Sequence, residues 1–168
     1  MERGVTPGRL RLLAAEIRRD ADVLDRVGAA IDKDAVALVD HPDERPLAAV
    51  LAVDLHRWYT GFEAVIERVE RFFDLVPSGA EWHGELLSGA LLDVPGIRPP
   101  IMNTSREAGL RDLLRFRHFF RDAFVVELDS TKPVAVAGSH TAVGAASVND
   151  LRHFAAVLDA TADRVAAE

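Results

Sequence analysis

A chain of 168 residues without cysteine is long enough to remove roughly 70% of its extended surface from water on folding, and it can hold neither a disulfide nor a thiolate-ligated metal. Its formal net charge of -7 argues against a general attraction to nucleic acid, so any RNA contact must come from a local patch. The opening MERGVTPGRLRLLAAEIRRD mixes charge among its apolar residues, unlike a signal peptide or a membrane span. One cytoplasmic domain over residues 1–168, with no membrane association and no metal or cofactor, is the expectation.

Leu10, Leu13, Ile17, Leu24, Val27, Ile31 and Leu38 recur at the three-and-four spacing of one helix face, predicting a long helix from Pro7 to about Leu38. Proline suits its opening turn. The chain should reverse at HPDERP, 41–46, with Asp43 positioned to cap the next helix. That second long helix, Pro46 to about Asp74, carries the stripe Leu51, Leu55, Trp58, Phe62, Val65 or Ile66, Val69 and Phe73. Two such helices joined by a short turn make an antiparallel hairpin.

A short helix is predicted over Glu81–Leu92, followed by DVPGIRPP, whose three prolines and glycine forbid continuous helix. Thr104 and Glu107 read as a capping box opening a fourth helix to about Val126. Residues 129–146, DSTKPVAVAGSHTAVGAA, show no evident helical period and are predicted as a loop of weak order. A closing helix, Val148 to about Ala167, should bury Leu151, Phe154, Leu158 and Val165. The expected fold is an all-α, up-and-down bundle of about five helices built on the long antiparallel hairpin.

The fourth helix carries the chemistry-bearing residues. Arg106, Arg111, Arg115, Arg117 and Arg121 stand with His118 against only Glu107 and Asp112, a basic patch on an acidic chain. At about 100° per residue, Arg111, Arg115, His118 and Asp122 share one face, while Leu110, Leu113, Phe120 and Phe124 share another. Arg117 projects toward the apolar side, where its permanent charge requires a carboxylate, carbonyl or phosphate partner. Glu63 is one structural candidate. On spacing alone the other arginines read first as an ordinary solvated face.

Four stretches together resemble the HepT-like ribonuclease toxins of the HEPN superfamily: LHRWYTGFEAVIERV at 55–69, PSGAEWHGELL at 77–87, PGIRPP at 95–100 and LLRFRHFFRDAFVVEL at 113–128. The resemblance spans roughly residues 8–128. It implies a homodimeric helical bundle with an active cleft between subunits, acting as the toxin of a toxin–antitoxin system beside a nucleotidyltransferase-type antitoxin. It also implies metal-independent RNA cleavage through an arginine, a spacer of four to six residues, a histidine, one residue and a tyrosine.

Set on that motif, Arg117 takes the arginine position, Asp122 the histidine position and Phe124 the tyrosine position. Aspartate, with a reference pKa of about 3.9, is a poor proton donor at neutral pH and repels phosphate. Phenylalanine has no hydroxyl to accept a nucleotidyl group. A second register, Arg111 with His118 and Phe120, retains a histidine as an alternative base. The resemblance thus implies either a weak ribonuclease, with Arg117 on the phosphate and Arg111, Arg115 and Arg121 along the RNA, or a non-catalytic HEPN dimer that binds RNA, a nucleotide or a partner protein. A helical bundle without a ligand is the third possibility. His83, beside Trp82, reads foremost as packing for the short third helix, with a supporting role at the site as the other possibility.

Overall fold

The computed structural model describes residues 5–122 and 131–167. They form five α-helices, α1 Pro7–Asp40, α2 Arg45–Phe72, α3 Trp82–Ala90, α4 Glu107–Asp122 and α5 Thr131–Ala167, with a 3₁₀ turn, Thr104–Arg106, ahead of α4. The architecture is the expected all-α, up-and-down bundle. None of the described helices is long and apolar enough to cross a membrane.

Helix α1 starts where the Thr6 hydroxyl accepts the Arg9 amide at 3.4 Å and Pro7 occupies the first turn. All seven apolar residues of its predicted stripe are buried. The α1–α2 hairpin is antiparallel, with Arg68 of α2 bonded to Asp20 of α1 at 2.5 Å. Its core is aromatic: Trp58 stacks on Phe62 with ring centroids 5.5 Å apart, and both are buried. Two expected caps are absent. Glu44 precedes α2 with no side-chain cap, and the Glu44 amide instead donates to the His41 carbonyl at 3.1 Å, closing the reversal through backbone. Ahead of α4 it is Asn103 that takes the capping role, its Oδ1 accepting the Ser105 amide at 2.9 Å, and Thr104–Arg106 form a 3₁₀ turn in place of the Thr104–Glu107 box.

Of the predicted loop 129–146, residues 131–146 instead form the first half of α5, and 129–130 lie outside the described residues. The buried side of α5 runs Pro133, Ala137, His140, Gly144, Ser147, Leu151, Phe154 and Leu158, alternating steps of four and three. Helical period was present but written in small and polar residues, which a search for large apolar side chains passes over. Small residues here serve close approach: a Cβ on Gly109 of α4 would lie 2.7 Å from Val143 of α5. His140 is 2% exposed, edge-on to Trp58 at 4.9 Å, in a slot left open by Gly28 and Gly144. Burial holds its pKa below the usual imidazole value, with Asp32 partly opposing. Val165, expected in the core, is 39% exposed near the end of the helix.

Helix α5 lies antiparallel along α1. Arg11–Asp163 at 2.8 Å, Arg18–Asp159 at 2.5 Å, Arg152 with Asp22 at 2.8 Å and Asp25 at 2.5 Å, and Thr141–Asp32 at 2.9 Å follow one another in opposite chain directions. These exposed pairs fix register more than they add stability.

The proline-rich segment between α3 and α4 is anchored by Arg98, 4% exposed. Its Nη1 donates to the carbonyls of Leu92 (3.1 Å) and Pro99 (3.2 Å), and its Nη2 donates to the Gly89 carbonyl (3.0 Å) and the Glu70 carboxylate. Burial pushes the Glu70 pKa up, against the pull of Arg98. Removing one partner of such a pair leaves a buried charge uncompensated. We therefore expect Arg98→Met to lower unfolding free energy by about 3–5 kcal/mol, read from urea denaturation, and Arg98→Met with Glu70→Leu to recover part of that loss.

Candidate functional site

Three helices meet around one carboxylate. Glu63, on the inner face of α2, is 6% exposed. Its Oε1 accepts from His83 Nδ1 of α3 at 2.7 Å, and its Oε2 lies 3.1 Å from Arg117 Nη2 of α4. A carboxylate oxygen accepts, so the His83 Nδ1–H donates, and Nε2 is left outside that bond. Trp82 lies against that ring at 3.8 Å and holds its plane.

Sequence periodicity explains the convergence. Helix α4 runs antiparallel to α2, so Phe120 meets His56 with rings 5.1 Å apart while Arg117, one turn earlier, reaches Glu63 two turns further along α2. Leu110, Leu113 and Phe116 bury the apolar side of α4, which forces Arg117 into the junction. His118, next in sequence, contacts His83 edge to face at 5.2 Å. Tyr59, one turn before Glu63, is 1% exposed; burial and the neighbouring Glu63 charge raise its pKa.

The polar groups here are not fully satisfied. Arg117 Nε and Nη1 and His118 Nε2 are buried with no hydrogen-bond partner among the described residues. Each such donor or acceptor costs about 1–3 kcal/mol. Burial lowers the pKa of His118, and the adjoining His83 with the positive charge of Arg117 and Arg121 lowers it further, while Glu63 opposes. Burial and Arg117 likewise lower His56. The junction therefore combines a held cation with imidazoles from two helices, a setting suited to an anion.

The remaining residues singled out from sequence lie outside this junction. Arg111 bonds Glu107 Oε1 at 2.9 Å and Ser88 Oγ at 3.0 Å. Arg115 is paired with Asp112 and is 70% exposed. Arg121 is exposed on the last turn of α4. Asp122 ends α4, but its side chain and all of Phe124 lie outside the described residues. The structure thus brings Arg117 together with Glu63 and His118, and adds His83, for which packing was the foremost expectation. The adjacent Trp82-His83 pair is visible in the sequence; the bond to Glu63 across 20 residues is not.

A family model described as HepT-like protein matches residues 50–158, which takes in α3, α4 and most of α2 and α5. The chain belongs to the HepT-like family. No curated protein and no solved structure matches it. In this HepT-like protein the match includes the residues of the Glu63 junction and much of α5, the helix whose first half was expected to be loop. The junction's chemistry predicts an asymmetry in stability. Glu63→Met strands Arg117 and His83 together, so about 3 kcal/mol or ~10 °C in Tm should be lost. Arg117→Met removes two unpartnered donors and leaves Glu63 bonded to His83; a change within about 1 kcal/mol is expected. Calorimetry on both variants checks this, and equal losses would make Arg117 a structural residue.

Proposed function

We propose that this chain is the toxin-type component of a toxin–antitoxin system, a homodimeric, metal-independent endoribonuclease of low activity that holds the scissile phosphate at Arg117. The observation that carries this reading is the Arg117 guanidinium, fixed by Glu63 through one nitrogen while Nε and Nη1 remain unpartnered among the described residues. A buried cation with unpaired donors is destabilising unless an acceptor arrives, and a phosphate matches the guanidinium fork.

Arg111, Arg115 and Arg121 extend the site as contacts along the RNA backbone. Arg115 can exchange Asp112 for phosphate at little cost, because an exposed ion pair is worth only about 0–1 kcal/mol. Low activity follows from Asp122 and Phe124 at the motif positions. The sequence has one tyrosine, Tyr59, and it is buried, so nucleotidylation of a tyrosine hydroxyl is not the route by which an antitoxin would silence the folded protein. A nucleotidyltransferase-type partner would have to act by binding.

Labelled RNA incubated with the purified protein and a chelator tests the reading. We expect slow cleavage that Arg117→Ala reduces by about 100-fold or more. Filter binding should show the salt slope falling by about one on the same substitution. Cleavage and binding both indifferent to Arg117 would dismiss the site. Binding without cleavage would turn the assignment to the non-catalytic HEPN dimer.

A further inference from the structure

We propose that His83 and His118 form the acid–base pair of this site, His118 as base and His83 as acid, with Glu63 positioning His83; the inference rests on the ribonuclease reading above. The motif position that should supply a histidine holds Asp122. Two imidazoles nevertheless stand beside Arg117, in edge-to-face contact at 5.2 Å, supplied by different helices.

Their surroundings differ in the way the two roles require. His83 Nδ1 is held by Glu63 at 2.7 Å, which fixes the ring and leaves Nε2 as the nitrogen that can pass a proton to substrate, as an oriented acid needs. His118 faces His83, Arg117 and Arg121, with Glu63 beyond, and lies in a partly buried position that disfavours its charged form. It is therefore available as the neutral base. His56 and Tyr59 of α2 flank Arg117, but His56 is stacked on Phe120 and Tyr59 is sealed in the core, so neither is placed to exchange protons with a substrate. Trp82 on the His83 ring supplies the rigidity that an oriented acid requires.

The step balances within the RNA. His118 takes the proton of the ribose 2′-hydroxyl, the 2′-oxygen forms a bond to phosphorus, and the bond from phosphorus to the 5′-oxygen breaks. His83 gives its Nε2 proton to that leaving oxygen, and Arg117 carries the charge on the phosphorane. The products are a 2′,3′-cyclic phosphate and a 5′-hydroxyl. Proton exchange with water resets both rings.

The full chain, with chelator, is assayed on an oligoribonucleotide and on the same strand with sulfur replacing the 5′-bridging oxygen, a leaving group that needs no acid. His83→Gln should lose about 100-fold or more on the oxygen substrate and less than about tenfold on the sulfur one. His118→Asn should be slow on both, and Glu63→Gln should move the alkaline limb of the pH–rate profile, where the acid loses its proton. The exposed His153→Gln should leave every rate unchanged. A merely structural loss in His83→Gln would lower both substrates equally and would overturn the assignment of the acid. Undiminished cleavage by either histidine variant would overturn the pair while leaving the Arg117 reading intact. Absence of cleavage by the wild-type chain would overturn both.

Discussion

The Glu63 carboxylate is the constraint on which the candidate site depends. One buried side chain satisfies His83 through one oxygen and Arg117 through the other, so α2, α3 and α4 are tied at a single point. Each partner alone would be unfavourable in the interior: an arginine without a counter-charge, or a histidine free to rotate. Shared between them, the carboxylate fixes both while leaving donors on the guanidinium unpaired among the described residues. The coincidence of those donors with two imidazoles from different helices is the physical reason to regard the junction as a site.

The rest of the fold holds this junction in place. Helices α1 and α5 run antiparallel to each other, and their ion pairs set the register. Small residues on α5 let it sit close to α4, with Gly109 against Val143, and this seats the fourth helix so that its apolar side turns inward and Arg117 goes with it. From the other side, Arg98 ties the proline-rich segment to Glu70 and to the carbonyls around the end of α3. The helix that carries His83 therefore cannot drift from the helix that carries Glu63.

What could be read from the sequence divides along physical lines. Large apolar residues at helical spacing placed α1, α2 and the hairpin, and every member of the α1 stripe is buried. Helix α5 was missed over its first half because its buried positions are Pro133, Ala137, His140, Gly144 and Ser147, whose role is close approach rather than hydrophobic bulk. Arg117 and its candidate partner Glu63 were legible, since a cation on an apolar face must find an anion. His83 was not, because a histidine's role is fixed by what its ring nitrogen meets across the fold. The arginine row on α4, which looked from sequence like an open basic patch, is partly neutralised at Arg111 by Glu107 and at Arg115 by Asp112, so charge counting overstated its freedom.

On this reading the scissile phosphate seats at the Glu63 junction, and the outward arginines of α4 hold only the flanking backbone. A crystal structure of the protein with a short RNA whose cleavage-site 2′-hydroxyl is replaced by hydrogen tests it most directly. A phosphate oxygen is expected within hydrogen-bond distance of Arg117 Nε or Nη1, with His83 and His118 flanking it and the Glu63–His83 bond retained. A phosphate bound only to Arg115 and Arg121, with the Arg117 donors still unpartnered, would contradict it.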